Sequence, residues 1–176
     1  MKDNPMRRIR LEKVVVNIGV GEPGERLEKA EEMLARVVKT VTGAEVKPVR
    51  TVAKKKIPKW GIRPGLAIGV KVTLRGDVAE KFLRAAFDAV GNKIQRKSFD
   101  EQGNFSFGIR EYIDLPGVKY DPSIGIFGMD VCVSLERPGY RVKRRKIRRA
   151  KVGKNHLITA DEAVAFVKEN FGVEVV

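Results

Sequence analysis

Two segments of the chain place their apolar residues at helical spacing, and this pattern restricts the fold more than any other feature of the sequence. The first runs from Glu25 to Val41 and the second from Val78 to Ile94, and both carry charges on the opposite face. Short segments rich in β-branched residues surround them and predict four or five strands. Because each helix has one apolar face, we expect a two-layer α+β fold with helices on one side of a mostly antiparallel sheet. The other sheet face is then open to a partner.

Turn and capping residues set the boundaries of these elements. Gly43 is expected to end the first helix. Near the carboxyl end, Thr159 and Glu162 have the spacing of a capping box for a short last helix that ends near Phe171. We divide the chain into an α+β domain, residues 1–137, and a basic extension with this last helix, residues 138–176, within one structural unit. Strands are predicted at residues 13–20, 47–53, 66–75, 105–109 and 126–135.

Positive charge is concentrated in two runs that contain no acidic residue. Lys and Arg number 36 against 22 Asp and Glu, a net charge of +14. The first run, Val46–Gly76, holds nine basic residues, and the second, Arg137–Ala160, holds ten. Such a surplus repels itself in a compact chain, and a polyanionic partner offsets that repulsion. The sequence therefore predicts binding to a nucleic acid or to an anionic membrane surface.

RNA explains the two runs better than a membrane or DNA does. A membrane-surface segment needs large apolar residues opposite its cations, and the second run has too few. No stretch approaches the roughly 18 consecutive apolar residues that span a bilayer. Zinc-finger spacing, a leucine zipper and a clear helix-turn-helix are also missing from the sequence. We therefore predict a folded RNA as the partner and no membrane.

A loop within the first run, Lys54–Gly65, combines five cations with the only tryptophan, Trp60. Its glycines and prolines favour a projecting turn. An aromatic tip of this kind contacts a base or a ribose while lysines hold phosphates. The alternative is that Trp60 packs over the edge of the core, and the sequence leaves both arrangements open.

Three features suggest other chemistry, and each has a plainer interpretation. The segment Gly19–Gly24 matches G-x-G-x-x-G between a strand and a helix, but Glu22 and Pro23 do not suit a phosphate cradle, so a tight turn is expected. His156 is the only histidine and has no Cys or His near it for a metal site, so a surface or helix-entry residue is expected, and we predict no metal, no cofactor and no catalytic residue for the chain. Cys132 is expected to be buried in a strand, and it cannot form an internal disulfide. With the polar amino terminus, Met1–Arg10, the lone cysteine predicts a cytoplasmic protein.

Several long motifs resemble the universal large-subunit ribosomal protein five family, in its archaeal and eukaryotic branch. They are NPMR (Asn4–Arg7), KVVVNIGVGE (Lys13–Glu22), IRPGLAIGVKVTLRG (Ile62–Gly76) and FGIREYIDLPGVKYDPSIGIFGMDV (Phe107–Val131). The resemblance implies a structural, non-enzymatic protein that binds 5S rRNA in the central protuberance. It also implies contacts with large-subunit rRNA, neighbouring ribosomal proteins and the P-site tRNA.

The resemblance assigns roles to particular residues. Asn17, Thr73, Arg75 and Lys54–Lys56 match the RNA-reading surface of the family, and Lys59–Gly65 matches the loop that reaches the tRNA elbow. With the cations of the two runs, the predicted rRNA-binding set is Asn17, Lys47, Arg50, Thr51, Lys54, Lys55, Lys56, Thr73, Arg75, Arg141, Lys143, Arg144 and Arg145. The predicted tRNA-contacting set is Lys59, Trp60, Gly61, Ile62, Arg63 and Gly65.

Two other functions stay open at the level of sequence. One is a nucleotide-dependent enzyme that uses Gly19–Gly24. The other is an RNA chaperone or translation factor that shares the fold but acts free of the ribosome.

Overall fold

A computed structural model describes residues 4–176 of the chain. Residues 1–3, which begin the predicted first domain and its polar amino terminus, lie outside the described part. Ten helices and strands make up the regular structure of the described residues, beside short 3-10 turns. In chain order they are β1 (Arg10–Gly19), α1 (Glu25–Thr42), β2 (Val49–Val52), β3 (Ala67–Leu74), α2 (Gly76–Ala89), β4 (Lys93–Ile94), β5 (Phe105–Ile109), β6 (Met129–Glu136), α3 (Ala160–Phe171) and β7 (Glu174–Val175).

Five of the strands form one sheet in the order β2-β3-β1-β6-β5, and every neighbouring pair is antiparallel. Strand β3 lies between β1 and β2, so the unit β1-α1-β2 is a split βαβ unit with a strand inserted in its middle. The small strands β4 and β7 pair in parallel as a second sheet. The expected α+β architecture with a mostly antiparallel sheet is confirmed.

Alternation along the strands explains why α1 and α2 share one face of the sheet. Val14, Val16 and Ile18 of β1 are almost completely buried, whereas the residues between them are partly exposed. A period of two sends these side chains to the same face, where the helices cover them. On the helices, the buried positions are Leu27, Ala30, Met33, Leu34, Val37 and Val38 of α1 and Ala79, Phe82, Leu83, Ala85, Ala86 and Phe87 of α2.

Residues with a positive φ end the first two helices, and the prediction identified one of these two ends. Gly43 ends α1 with a φ of 75°, the left-handed conformation that glycine adopts without strain, as predicted. The second helix was predicted to reach Ile94, and this was wrong. It ends at Ala89 because Gly91 and Asn92 both have positive φ angles, 69° and 56°. Ile94 is instead buried in β4, a strand that the sequence did not predict.

Arg137 ties the extension to the rest of the molecule. Its side chain is only 3% exposed, and its guanidinium donates to the backbone oxygens of Arg7, His156 and Leu157 and to the Glu162 carboxylate. Arg137 is one of the ten cations of the second basic run, but its positive charge is paired inside the protein and is not available to a polyanion. The nearby helix α3 is capped as predicted, since Thr159 and Glu162 form both bonds of a capping box.

Residues of the extension also join the hydrophobic core. Ile158, Ala163, Val167 and Val173 belong to the same buried cluster as the strands and the first two helices. The ring of Phe171 meets that of Phe87 edge to face, with 5.3 Å between the centroids. Among the described residues, no helix is both long and apolar enough to cross a bilayer.

Candidate nucleic-acid interface

The sheet face opposite α1 and α2, which we call the open face, is lined mainly by small and polar side chains. Within residues 4–176 both long helices pack on the other face, and the strand residues that alternate with the buried ones point away from them. The open-face residues include Thr51 on β2, Lys71 and Thr73 on β3, Lys13, Val15 and Asn17 on β1, Asp130, Cys132 and Ser134 on β6 and Ser106 on β5.

Asn17 lies on the middle strand of this face. The register places it opposite Lys71 on one side and Asp130 on the other. Thr73 lies nearby on β3, opposite Val15. The open-face positions of the five strands carry no aromatic side chain, so this surface can contact RNA by hydrogen bonds and charge but offers no platform for stacking bases.

Cys132 lies on this face, and the prediction that it is buried was wrong. It alternates with the buried residues Val131 and Val133 and is exposed between Val15 and Ser106 of the neighbouring strands. Partial burial by those strands raises the pKa of the thiol, and the charge of Asp130 adds to the shift. The reactivity of this thiol reports on the open face alone, because the sequence contains no other cysteine.

One end of the open face holds two carboxylates, Glu12 and Glu136, which we call the carboxylate pair. Each side chain is 9% exposed, and Arg144 from the extension donates to both. Arg10 donates to Glu136 over 2.8 Å, and Arg75 donates to the backbone oxygen of Glu12 over 3.3 Å. Burial alone raises the pKa of Glu136, but the hydrogen bonds and charges of Arg144 and Arg10 together hold it below its ordinary value. The pair thus fastens the basic extension to the sheet.

Sequence reasoning missed the carboxylate pair. Glu12 lies at a β-bulge, where the register of β1 with β6 shifts between Leu11 and Lys13. A bulge redirects a side chain and has no signature in this sequence. Glu136 follows the two-residue alternation of β6, so its place on the open face was predictable, but its partner from the extension was not.

The other predicted residues of the extension keep their charge available. Arg141 and Arg145 are exposed, and the Arg145 Nε donates to the backbone oxygen of Arg148 over 2.7 Å. The Lys143 ammonium lies 4.6 Å from the centre of the Tyr140 ring. Among the described residues none of these three cations lies within 4.0 Å of a carboxylate, in contrast to Arg144.

In the first run, Arg50 differs from its neighbours. Its position on β2 lies opposite the buried Val70, and its Nε lies 2.7 Å from the Glu31 carboxylate of α1. That hydrogen bond raises the pKa of the Arg50 guanidinium, and the charges of Glu31 and Glu28 add to the shift. The structure therefore brings Thr51 to the open face and Arg50 to the helical side. Lys47 and Lys54–Lys56 are exposed, and in the part of the chain described no carboxylate lies within 4.0 Å of them.

The loop between β2 and β3 is a closed hairpin. At its base the Ala53 amide donates to Leu66 over 2.8 Å, and the Gly65 amide donates back to Ala53 over 3.0 Å. Further out, Ile57 and Ile62 form an isolated antiparallel bridge. The predicted contact residue Ile62 is thereby buried, with 6% of its surface exposed.

The tip of this hairpin presents Trp60. A 3-10 turn over Pro58–Trp60 ends at Gly61, which has a φ of 65°. The Trp60 side chain is 68% exposed, so the alternative that it packs over the core edge was wrong. Lys59 and Arg63 flank it and are exposed as well.

Comparison with known proteins places the chain in a family. Residues 4–63 match the family model described as Ribosomal protein L5, and residues 67–166 match that of the ribosomal L5P family C-terminus. The chain belongs to the ribosomal protein L5 (uL5) family. The large ribosomal subunit protein uL5 of Sulfurisphaera tokodaii is 55% identical over 98% of this chain and 95% of its own length. Those of Pyrobaculum aerophilum and Methanococcus maripaludis are 56% and 51% identical over 99% and 98% of the chain, covering 94% and 93% of their own lengths.

Membership of the uL5 family confirms the resemblance seen in the motifs, including its archaeal branch. The family consists of structural, non-enzymatic proteins, so the prediction that the chain is not an enzyme is also confirmed.

The geometry at Gly19–Gly24 agrees with the non-enzymatic character of the uL5 family. The amides of Val20 and Gly21 both donate to the Ile68 oxygen, over 3.0 and 2.8 Å, so they are not free to bind a phosphate. Glu25 and Glu28 occupy the first turn of α1, where they repel an anion. In residues 4–176 no group of three or more His, Cys, Asp or Glu side chains is arranged to hold a metal ion.

Proposed function

We propose that this protein binds 5S rRNA through the open face and the two basic runs that flank it, and that the hairpin loop contacts the P-site tRNA. As a member of the uL5 family the protein is a structural constituent of the large ribosomal subunit, with rRNA and ribosomal proteins as its partners, at the ribosome in the cytoplasm. The identity of the two RNAs and the residues that meet them are our proposal.

The observation that carries the proposal is the contrast between the two faces of the sheet. On the helical side, cations are matched by acids, as in the ion pairs of Arg36 with Asp121 and of Arg84 with Glu80. On the open side, ion pairs are confined to the carboxylate pair at one end, and Asn17, Lys71 and Thr73 offer polar groups beyond it. Folded RNA presents ribose hydroxyls, phosphates and base edges, which such groups can bind.

The second support is the set of cations without a carboxylate partner among the described residues. Lys54–Lys56 extend from the edge of the sheet beside β2, and Arg141 and Arg145 extend from the segment that the carboxylate pair holds in place. Each phosphate that a cation neutralises releases counterions, so the logarithm of affinity falls with the logarithm of salt by about 0.7–0.9 per contact. Six such contacts, including Lys71, give a slope of about −4 to −5.

The loop supports a contact with a second RNA. It leaves the sheet between β2 and β3, and its tip carries Lys59 and Arg63 with no carboxylate within 4.0 Å in the described part of the chain. We expect these two side chains to hold phosphates of the P-site tRNA and to contribute little to 5S rRNA binding.

Recovery of RNA from total cellular RNA on the immobilised protein tests the 5S assignment. We expect 5S rRNA to be enriched over tRNA, and the enrichment to disappear as salt is raised. Equal recovery of both RNAs would contradict the proposal.

A further inference from the structure

We infer that Trp60 stacks on an exposed nucleobase of the RNA that the hairpin loop contacts, and that the loop is built to present it. This inference rests on the proposed function of the loop, and it adds the type of contact: an aromatic ring against a base, in addition to phosphate neutralisation.

Exposure of apolar surface is concentrated in this part of the molecule. Nine large hydrophobic side chains are exposed among the described residues, and four of them, Val49, Val52, Ile57 and Trp60, lie within residues 49–60. Exposed apolar surface is thus concentrated in a strand and hairpin of twelve residues, and large exposed apolar side chains are the ones that a partner covers. Of the four, Trp60 has the largest exposed fraction, 68%.

Backbone hydrogen bonds define the conformation of the loop tip without a partner. The Trp60 amide donates to the Ile57 oxygen over 3.2 Å, the Gly61 amide donates to the Pro58 oxygen over 3.1 Å, and Ile57 and Ile62 exchange two backbone bonds. Binding therefore does not have to order the turn, and the entropy cost of immobilising the backbone does not reduce the free energy of stacking.

The charges around Trp60 indicate what covers it. Lys59 and Arg63 flank the ring in the loop sequence, Lys54–Lys56 precede it, and the loop contains no acidic residue. An apolar protein partner would have to desolvate or match these five cations. A nucleotide supplies phosphates for the cations and a flat π-face for the indole, and stacking of this kind is tolerant of base identity.

Trp60 is the only tryptophan in the chain, so its fluorescence reports on this site alone. We would titrate the full chain with deacylated tRNA and, in parallel, with inorganic polyphosphate, which has the charge of a nucleic acid but no bases. Both should bind, but only tRNA should quench the emission strongly. Equal quenching by polyphosphate would overturn the inference, because charge alone would explain it.

Substitution of Trp60 gives the second arm of the test. Trp60→Leu keeps an apolar side chain without a π-face and should weaken tRNA binding about tenfold, whereas Trp60→Phe should weaken it about threefold or less. Both variants should leave 5S rRNA binding and the melting temperature unchanged, because the ring is exposed.

The outcomes separate the inference from the function on which it rests. If tRNA binds Trp60→Leu as tightly as the wild type, the stack is absent although the loop still contacts tRNA. If the wild type does not bind tRNA at all, the proposed function of the loop fails and the inference fails with it.

Discussion

Replacing Glu136 by Gln tests whether the carboxylate pair fastens the basic extension to the sheet. The substitution keeps the shape of the side chain and removes its charge, which leaves the guanidinium groups of Arg10 and Arg144 beside a neutral amide. The Glu136 side chain is 9% exposed, but those of Arg10 and Arg144 are 62% and 42% exposed.

The exposure of the two arginines sets the size of the effect. Removing one partner of a fully buried ion pair costs about 3–5 kcal/mol, and exposed pairs contribute about 0–1 kcal/mol. Glu136 is a buried carboxylate with two partly solvated partners, so we expect its replacement to lower the free energy of unfolding by about 1–2 kcal/mol, between these limits. In a domain of this size that loss lowers the melting temperature by about 3–6 °C. A matched control is Glu45→Gln, because Glu45 is 79% exposed and, among residues 4–176, pairs only with Lys39.

The contribution of Glu136 to stability should decrease as the pH falls. The pKa of Glu136 is lower in the folded protein than in the unfolded chain, where the carboxyl has its ordinary value. Its contribution is therefore complete above that value and is lost as the pH falls through the folded pKa. Thermal unfolding followed by circular dichroism should show the full difference between wild type and Glu136→Gln at pH 7 and a smaller one near pH 3. Equal melting temperatures at pH 7, or a difference independent of pH, would refute the role of the pair.

Three further predictions concern the basic residues. Replacing Lys54–Lys56 by Ala should weaken 5S rRNA binding and reduce the salt slope by about 2–3, with an unchanged melting temperature, in filter-binding and calorimetric measurements; a large loss of stability at unaltered affinity would contradict this. Replacing Lys59 and Arg63 by Ala together should weaken tRNA binding and leave 5S rRNA binding nearly intact, and a strong loss of 5S binding would show that the loop faces 5S rRNA. Arg137→Met should cost about 3 kcal/mol or more in chemical denaturation, because it removes the buried guanidinium that pairs with Glu162 and donates to three backbone oxygens; a change within 1 kcal/mol would contradict the structural role of Arg137.

Most of the fold could be predicted from apolar periodicity and from helix-capping residues. The apolar spacing of α1 and the capping box of α3 were readable because both follow from contacts within one element. The end of α2 was also readable, because Gly91 and Asn92 are the residue types that most readily adopt the positive φ that ends a helix, but the apolar spacing that continues to Ile94 concealed it. The strand β4 has two residues and depends on pairing with β7, far along the chain, so no local pattern announces it.

For the candidate interface, composition located the cations but not their partners. The alternation of β2 could have separated Arg50 from Thr51, since adjacent strand residues face opposite sides. Arg137 is buried against Arg7, and Arg144 binds Glu12. Each of these contacts joins segments more than a hundred residues apart, and a count of charges along the sequence does not detect them. Local sequence predicts where charge is abundant, and tertiary structure decides which charge is free.

Alkylation of Cys132 tests most directly whether the open face meets RNA. The thiol is exposed on the sheet and is the only one in the chain, so its modification rate reports on this surface without any substitution. With saturating 5S rRNA the rate of reaction with N-ethylmaleimide at pH 8.5 should fall about tenfold or more, and polyphosphate should protect the thiol much less. An unchanged rate in the saturated 5S complex would mean that the RNA binds elsewhere, and the account of the open face would be wrong.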